Sequence, residues 1–352
     1  MTPFNYTSRP FRVVFGRGTI SSLRSEVEGL GLERVLVLST PQQRGVADTL
    51  ARMLGPRAAA VHPYATMHTP VTVTERAMVL VRELRVDGLL AIGGGSTIGL
   101  SKAIALRTDL PQIAIPTTYA GSEMTPILGE TSERAKKTIA DPRVQPELVI
   151  YDVDLTLTLP ARISAVSGLN AIAHAIEAMY AKESNPITSL TAIEGITALT
   201  RAFPAIAANP LDSEARADAL YGAWLCGICL GAVGMALHHK LCHTLGGSFD
   251  LPHAETHAIV LPHALAYNAP AVPNTIARLQ PILGDDPASG LHHLLVNTEA
   301  PHSLRELGME ERAIAKAADL ALMNPYWNPR ALTREGIRAL IARAWAGEAP
   351  RS

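Results

Sequence analysis

Residues 12 to 118 repeat one pattern: a short β-branched or apolar run, a turn, then a helix-length amphipathic segment. In order these are RVVFG, ISSLRSEVEGLG, VLVLST, GVADTLARML, AAAVHPY, VTERAMVLVRELRV, GLLAIGGGS, TIGLSKAIAL and QIAIPTT. Segments alternating between period 2 and period 3.6 fold as parallel strands with helical crossovers, because parallel neighbours cannot be joined by a tight turn. The alternation stops near residue 155. Beyond Leu159-Pro160, helical patterns dominate and strand signals almost vanish. The expectation is an α/β N-terminal domain with a parallel sheet over 1–155, ELVIYDVDLTLTLP as a linker, and an all-α C-terminal domain over 156–352. With 352 residues, 47% of them hydrophobic, the chain can bury two such cores.

The formal net charge is −1, from 31 basic and 32 acidic residues mixed throughout. A nucleic-acid or membrane-surface binder would carry a basic stripe, so a small molecule is the expected partner. Cys226 and Cys229 lie one helical turn apart in WLCGICLGAVGMAL. In that apolar setting they read as small buried hydrophobes rather than a metal or redox pair. With Cys242 they make an odd number, which suits a reducing cytoplasm. No signal peptide opens the chain, and no uncharged apolar run of membrane-spanning length is free of glycines and polar groups.

LLAIGGGSTIGLSKAIA, residues 89 to 105, ends an apolar strand in Gly93, Gly94 and Gly95 and opens a helix with Ser96 and Thr97. Bare backbone N–H groups and a helix N-terminus then converge on one point, a place for a phosphate. IPTTYAGSEMT, residues 115 to 125, is a second apolar strand ending in hydroxyls, with Thr117, Thr118 and Ser122. A parallel sheet brings both strand ends to the edge where α/β folds bind nucleotides. A third strand ends on Ser39, where the ribose of an adenosine is expected and no acidic residue stands. Without a carboxylate to repel a 2′-phosphate, tolerance of both NADH and NADPH is expected.

In the second half, Asn170 and His174 are four apart in GLNAIAHAIEA, and His239 and His243 are four apart in GMALHHKLCHTLGGSFDLPHAETHA. Spacing of i,i+4 places two side chains side by side on one helical face. The second helix is expected to end at Gly246-Gly247, with His253 following Pro252. Two polar pairs on otherwise apolar faces point to a shared site of Asn170, His174, His239, His243 and His253. His238 and His257 read as ordinary buried or surface histidines.

GGGS followed by IPTTYAGSEMT, VSGLNAIAH, H-x-x-x-H-x-L-G-G with P-H ten residues on, RVVFGRG, STPQQ and NPYWNPR form a specific set spanning nearly the whole chain. As a set it resembles the iron-containing alcohol dehydrogenase superfamily, of dehydroquinate synthase-like fold, in its group of maleylacetate reductases. The resemblance implies a dinucleotide-binding α/β domain, a helical domain and a cytoplasmic homodimer in aromatic-compound degradation. The implied activity is NAD(P)H-dependent reduction of the C=C bond of maleylacetate, a dicarboxylate, to 3-oxoadipate. Members that act on alcohols bind iron or zinc through an aspartate and three histidines, and the matching positions here are Asn170, His174, His239 and His253. With Asn170 in place of the one anionic ligand, no metal is expected. A metal-dependent alcohol or polyol dehydrogenase is the alternative within the superfamily. His243 and His253 are the expected proton donors, with His174 and His239 shaping the pocket. For the dianionic substrate, Asn170, Lys240, Tyr326 and Arg330 are candidate partners, and Lys137 is a candidate for the cofactor.

Overall fold

The structure, a computed structural model, describes residues 4, 11–132 and 135–351. Two compact units divide between Leu159 and Pro160.

The first unit contains β1 (Arg12–Gly16), α1 (Leu23–Gly29), β2 (Val35–Leu38), α2 (Arg44–Leu54), β3 (Ala58–His62), α3 (Val71–Glu83), β4 (Gly88–Gly93), α4 (Gly95–Thr108), β5 (Gln112–Pro116), β6 (Ile127–Ser132), β7 (Ala135–Ala140) and β8 (Leu148–Asp152). Six strands form one parallel sheet in the order β1-β8-β5-β4-β2-β3. Strands β2, β4, β5 and β8 are buried along their whole length. Their near-continuous apolar sequences are what a sheet covered on both faces requires. Leu23, Val27, Leu50 and Leu54 of α1 and α2 cover one face, and Ala77, Val81, Leu100 and Ile104 of α3 and α4 cover the other. Gly93 lies opposite Pro116 in the β4–β5 register, so the ends of these strands are neighbours.

Two local expectations need correction. The segment read as a linker holds β8, a central strand between β1 and β5, because LVIYD is apolar enough to be buried on both faces. The antiparallel hairpin β6–β7 was not foreseen; its ILGETS alternates polar and apolar too weakly for periodicity to reveal it.

The second unit contains α5 (Ala161–Tyr180), α6 (Pro186–Ala208), α7 (Ser213–Ala232), α8 (Leu237–Phe249), α9 (His253–Asn268), α10 (Pro273–Leu283), α11 (Pro287–Val296), α12 (Ala313–Leu322) and α13 (Arg334–Ala346). Helix α5 is buried from Ser164 to Tyr180 and packs against α6, α7 and α9. Helices α6 and α7 approach closely because glycines face each other: a Cβ on Gly222 would stand 2.8 Å from the Gly195 carbonyl oxygen. Helix α8 runs through Gly246 and Gly247 to Phe249, past the expected stop. No single helix is long and apolar enough to cross a membrane; α7 and α8 meet that length only as a pair bent by 95°. Cys226, Cys229 and Cys242 are buried free thiols, and burial pushes the Cys229 thiol up to about 12.

Candidate active site

In the α/β unit, β4 ends at Gly93, Gly94 caps α4, and Gly95 is its first residue. Gly93 has φ +147°, and a Cβ there would meet Gln43 Oε1 at 2.5 Å. A Cβ on Gly94 would meet Thr118 Oγ1 at 2.9 Å, while Gly95 has nothing within 4 Å. The first two glycines therefore let the turn close, and the third leaves open space at the helix N-terminus. Thr117 donates its N–H to the Gly93 carbonyl at 3.1 Å and accepts from Gln43 Nε2 at 2.7 Å. Ser39 Oγ, Thr97 Oγ1 and Ser122 Oγ are buried without a hydrogen-bond partner among the described residues. Buried hydroxyls are normally satisfied, so this edge is shaped for a polar guest.

The loop after β5 is held by Lys102, a residue with no motif in the sequence to mark it. Its buried Nζ donates to Ser122 O and Thr125 O at 2.6 Å and to Thr125 Oγ1 and Ile127 O at 2.9 Å. Burial brings this amine down to about 7, against the pull of nearby Glu123. Ser96 sits in the first turn of α4. Lys137 is exposed on β7 opposite Glu130, whose carboxylate is bonded by Arg107, and no hydrogen bond joins Lys137 to the glycine turn among the described residues.

In the helical unit, α5 carries Asn170 and His174, α8 carries His238, His239 and His243, and α9 begins at His253 and carries His257. His174 Nδ1 lies 2.8 Å from His239 Nε2, and His239 Nδ1 lies 2.7 Å from Glu177 Oε2. Glu177 is wholly buried, and its oxygens also accept the backbone N–H groups of Ala236 at 2.8 Å and His238 at 2.7 Å. These N–H groups belong to the N-terminus of α8, where orphan donors and the helix dipole favour a negative charge. Burial alone pushes the Glu177 carboxyl up and the His239 imidazole down. The carboxylate is nonetheless the form that three donors around it favour, so His239 is a neutral ring donating from Nδ1. His239 Nε2 is then the acceptor and His174 Nδ1 the donor.

The other rings complete a cluster. His257 is wholly buried, with its ring centroid 4.2 Å from that of His253 and 5.1 Å from that of His239. His238 Nε2 lies 3.0 Å from the His257 carbonyl oxygen. His238, His239 and His257 offer nitrogens within 4.8 Å of one another. Both ring nitrogens of His257 and the Oδ1 of Asn170 lack hydrogen-bond partners among the described residues. His174, His239 and Asn170 are at most 4% exposed, whereas His243 and His253 are half-buried.

The loop carrying NPYWNPR brings Tyr326 to the cluster, its hydroxyl 2.9 Å from His243 Nδ1. Lys240 Nζ stands 5.8 Å from the Tyr326 ring centre and donates to the Met323 carbonyl at 2.8 Å. Tyr326 also lines a cavity of about 310 Å³ together with Lys182, Glu183, Gly234, Met235 and Trp327. Arg330 departs from expectation. It turns to α9, donating to the Tyr267 carbonyl at 2.5 Å with its guanidinium 4.5 Å over that ring.

The structure thus gathers Asn170, His174, His239, His243, His253 and Tyr326 in one unit. It adds His238 and His257, read from sequence as ordinary, and Glu177, which was overlooked. Glu177 had a signal: it is three residues beyond His174 and seven beyond Asn170, the one carboxylate on the same face of an apolar helix. Gln43, in the STPQQ turn, likewise escaped notice because only the fold brings it to Thr117.

Residues 10–153 match the iron-containing alcohol dehydrogenase family, and residues 164–345 match the C-terminal domain of the Fe-containing alcohol dehydrogenase family. The chain is 55% identical to a maleylacetate reductase of Rhizobium sp. (strain MTP-10005), covering 99% of this chain and 100% of the relative. It is 54% identical to one from Sphingobium indicum, covering 99% of each. The crystal structure of the Rhizobium enzyme superposes with a TM-score of 0.95, and that of a putative alcohol dehydrogenase from Ralstonia eutropha, 54% identical, with 0.98; each spans 99% of this chain and 100% of the other.

Proposed function

The chain belongs to the iron-containing alcohol dehydrogenase family, and within it we propose that it is a maleylacetate reductase, reducing the C=C bond of maleylacetate to 3-oxoadipate with a nicotinamide cofactor. The observation that carries this reading is end-to-end identity of 54–55% with maleylacetate reductases. A cytoplasmic homodimer acting in aromatic-compound degradation is part of the same proposal.

The α/β unit has residues that fit the cofactor: Gly95 opens space at the start of α4, and the unpartnered hydroxyls of Ser39, Thr97 and Ser122 await polar partners. A reduced nicotinamide bound there supplies hydride. Gly93, Gly94, Ser96, Thr117 and Thr118 shape the turn for its phosphates. Ser39 follows β2 directly, with no carboxylate beside it in sequence to reject a 2′-phosphate, so NADH and NADPH are expected to give kcat/KM values within about tenfold of each other, as steady-state kinetics would show. A preference above a thousandfold would place the discriminating contact elsewhere.

The metal implied by the family does not suit the residues present. Asn170 brings no charge to offset a dication. Two nitrogens 2.8 Å apart, each about 2.1 Å from an ion, would subtend roughly 84° rather than the roughly 109° of a tetrahedral site. His239 has both nitrogens engaged, and so has His238, by the His257 carbonyl and the His239 ring. These facts support a proton and hydrogen-bond site in which no step passes through a metal.

The substrate makes that sufficient. Its double bond is conjugated to a ketone, so hydride added β to the carbonyl leaves an enolate rather than a strongly basic alkoxide. Neutral donors stabilise an enolate oxygen. Asn170 and the buried His174–His239–Glu177 chain give the pocket fixed dipoles, and half-buried His243 or His253 protonates the neighbouring carbon. Lys240 and Tyr326 supply donors for the substrate's carboxylates.

NADH oxidation with maleylacetate, on chelator-treated protein checked for metal by elemental analysis, tests both parts. Full activity without stoichiometric metal is expected. Loss on chelation with rescue by zinc or iron would overturn the metal-free mechanism, and failure to oxidise NADH with maleylacetate in either form would overturn the assignment.

A further inference from the structure

Helix α9 carries the histidine cluster at one end and a second polar site near the other. Ten residues beyond His253, about 15 Å along the helix, His263 lines a cavity of about 130 Å³ together with Tyr267, Arg330, Gly336, Ala339, Leu340, Arg343 and Arg351. Three guanidinium groups and, among the described residues, no carboxylate border this space. Nearby Arg334 shows the usual arrangement, bonded to Asp319 at 2.6 Å. By contrast, Arg330, Arg343 and Arg351 form no ion pair among the described residues. Arg330 is anchored by the Tyr267 carbonyl and stacked on its ring, so part of the site is set in advance.

The second observation is His263. Its side chain is 3% exposed, it borders the cavity, and its ring makes no hydrogen bond among the described residues. At the wall of the cavity this imidazole can offer a guest one ring N–H beside the three guanidinium groups. Burial, then the neighbouring His292 and Arg343, holds it down to about 3, so at neutral pH it is an uncharged N–H donor.

We propose that His263, Arg330, Arg343 and Arg351 form a binding site for a small multiply charged oxyanion, separate from the histidine cluster. Guanidinium groups match phosphate and carboxylate oxygens in planar, two-pronged geometry, and the cavity has room for one phosphate or short dicarboxylate but not a nucleotide. Inorganic phosphate and succinate represent the two sources.

The full-length protein, saturated with NADH to cover the glycine turn, would be titrated with each anion by isothermal calorimetry. Saturable binding of at least one anion is expected, weakened about tenfold or more in Arg343→Gln and in Arg351→Gln. Which anion binds identifies the source. The second variant, near the exposed chain end, keeps the test readable should the first fail to fold. Absence of saturable binding, or equal affinity in unmodified protein and Arg351→Gln, would overturn the site.

Discussion

Replacing His243 with alanine is expected to lower kcat for maleylacetate reduction by about a hundredfold to ten-thousandfold, the range by which a positioned acid or base accelerates proton transfer. Accessibility separates the candidate donors. Of the clustered imidazoles, His238 and His257 are sealed from solvent, and His239 and His174 nearly so, while His243 and His253 are half-buried. A group that gives a proton to substrate and regains one from water must reach both. His243 is also oriented, its Nδ1 2.9 Å from the Tyr326 hydroxyl. Tyr326→Phe is therefore expected to cost less than His243→Ala, since it loosens the ring without removing it. Because His243 is not deeply buried, thermal stability should hardly change. Steady-state kinetics on His243→Ala and His253→Ala separate the roles: if His243→Ala keeps wild-type kcat while His253→Ala loses it, the donor is His253 and the assignment to His243 is wrong.

Glu177→Ala is expected to destabilise the protein by about 3–5 kcal/mol, the cost of stranding buried partners of a removed charge. The carboxylate serves two elements at once. It caps α8 through Ala236 and His238 N–H, and it fixes His239, which in turn positions His174. Removal leaves three buried donors unpaired. A fall in Tm of roughly 10 °C follows for a unit of this size, and activity should drop as well because the tautomer of the His239–His174 pair is no longer imposed. Glu177→Gln keeps the shape and one acceptor oxygen but sets an amide N–H against donors, so an intermediate loss is expected. Thermal denaturation of the three proteins provides the check. A change in Tm below about 2 °C for Glu177→Ala would mean that water substitutes for the carboxylate and that the buried chain is not a structural unit.

Much of this molecule was legible along its sequence because local periodicity and burial coincide. Strands with both faces covered are continuous apolar runs, and the sequence changes from alternating segments to helices near residue 155; the two compact units divide between Leu159 and Pro160. The glycine turn was readable for the same reason: GGGS after an apolar strand has few conformations open to it. Asn170 and His174, and His239 and His243, were readable as i,i+4 pairs.

What the sequence could not contain was the register between distant elements. LVIYD has the composition of a strand, yet only pairing with both β1 and β5 makes it central. Glu177 is an acidic residue near two polar neighbours until α8 arrives and its N-terminal N–H groups close on the carboxylate across 59 residues of sequence. His257 looked like any core histidine until the packing of α5, α8 and α9 left its ring nitrogens buried with no hydrogen-bond partner among the described residues. Arg330, plausible beside Tyr326 in the chain, points elsewhere because Tyr267 offers it a carbonyl and a ring face. Periodicity along one element determines which face is apolar and which pairs share it; which buried group meets which charge depends on helix-to-helix contacts between residues far apart in sequence, and those the tertiary structure alone decided.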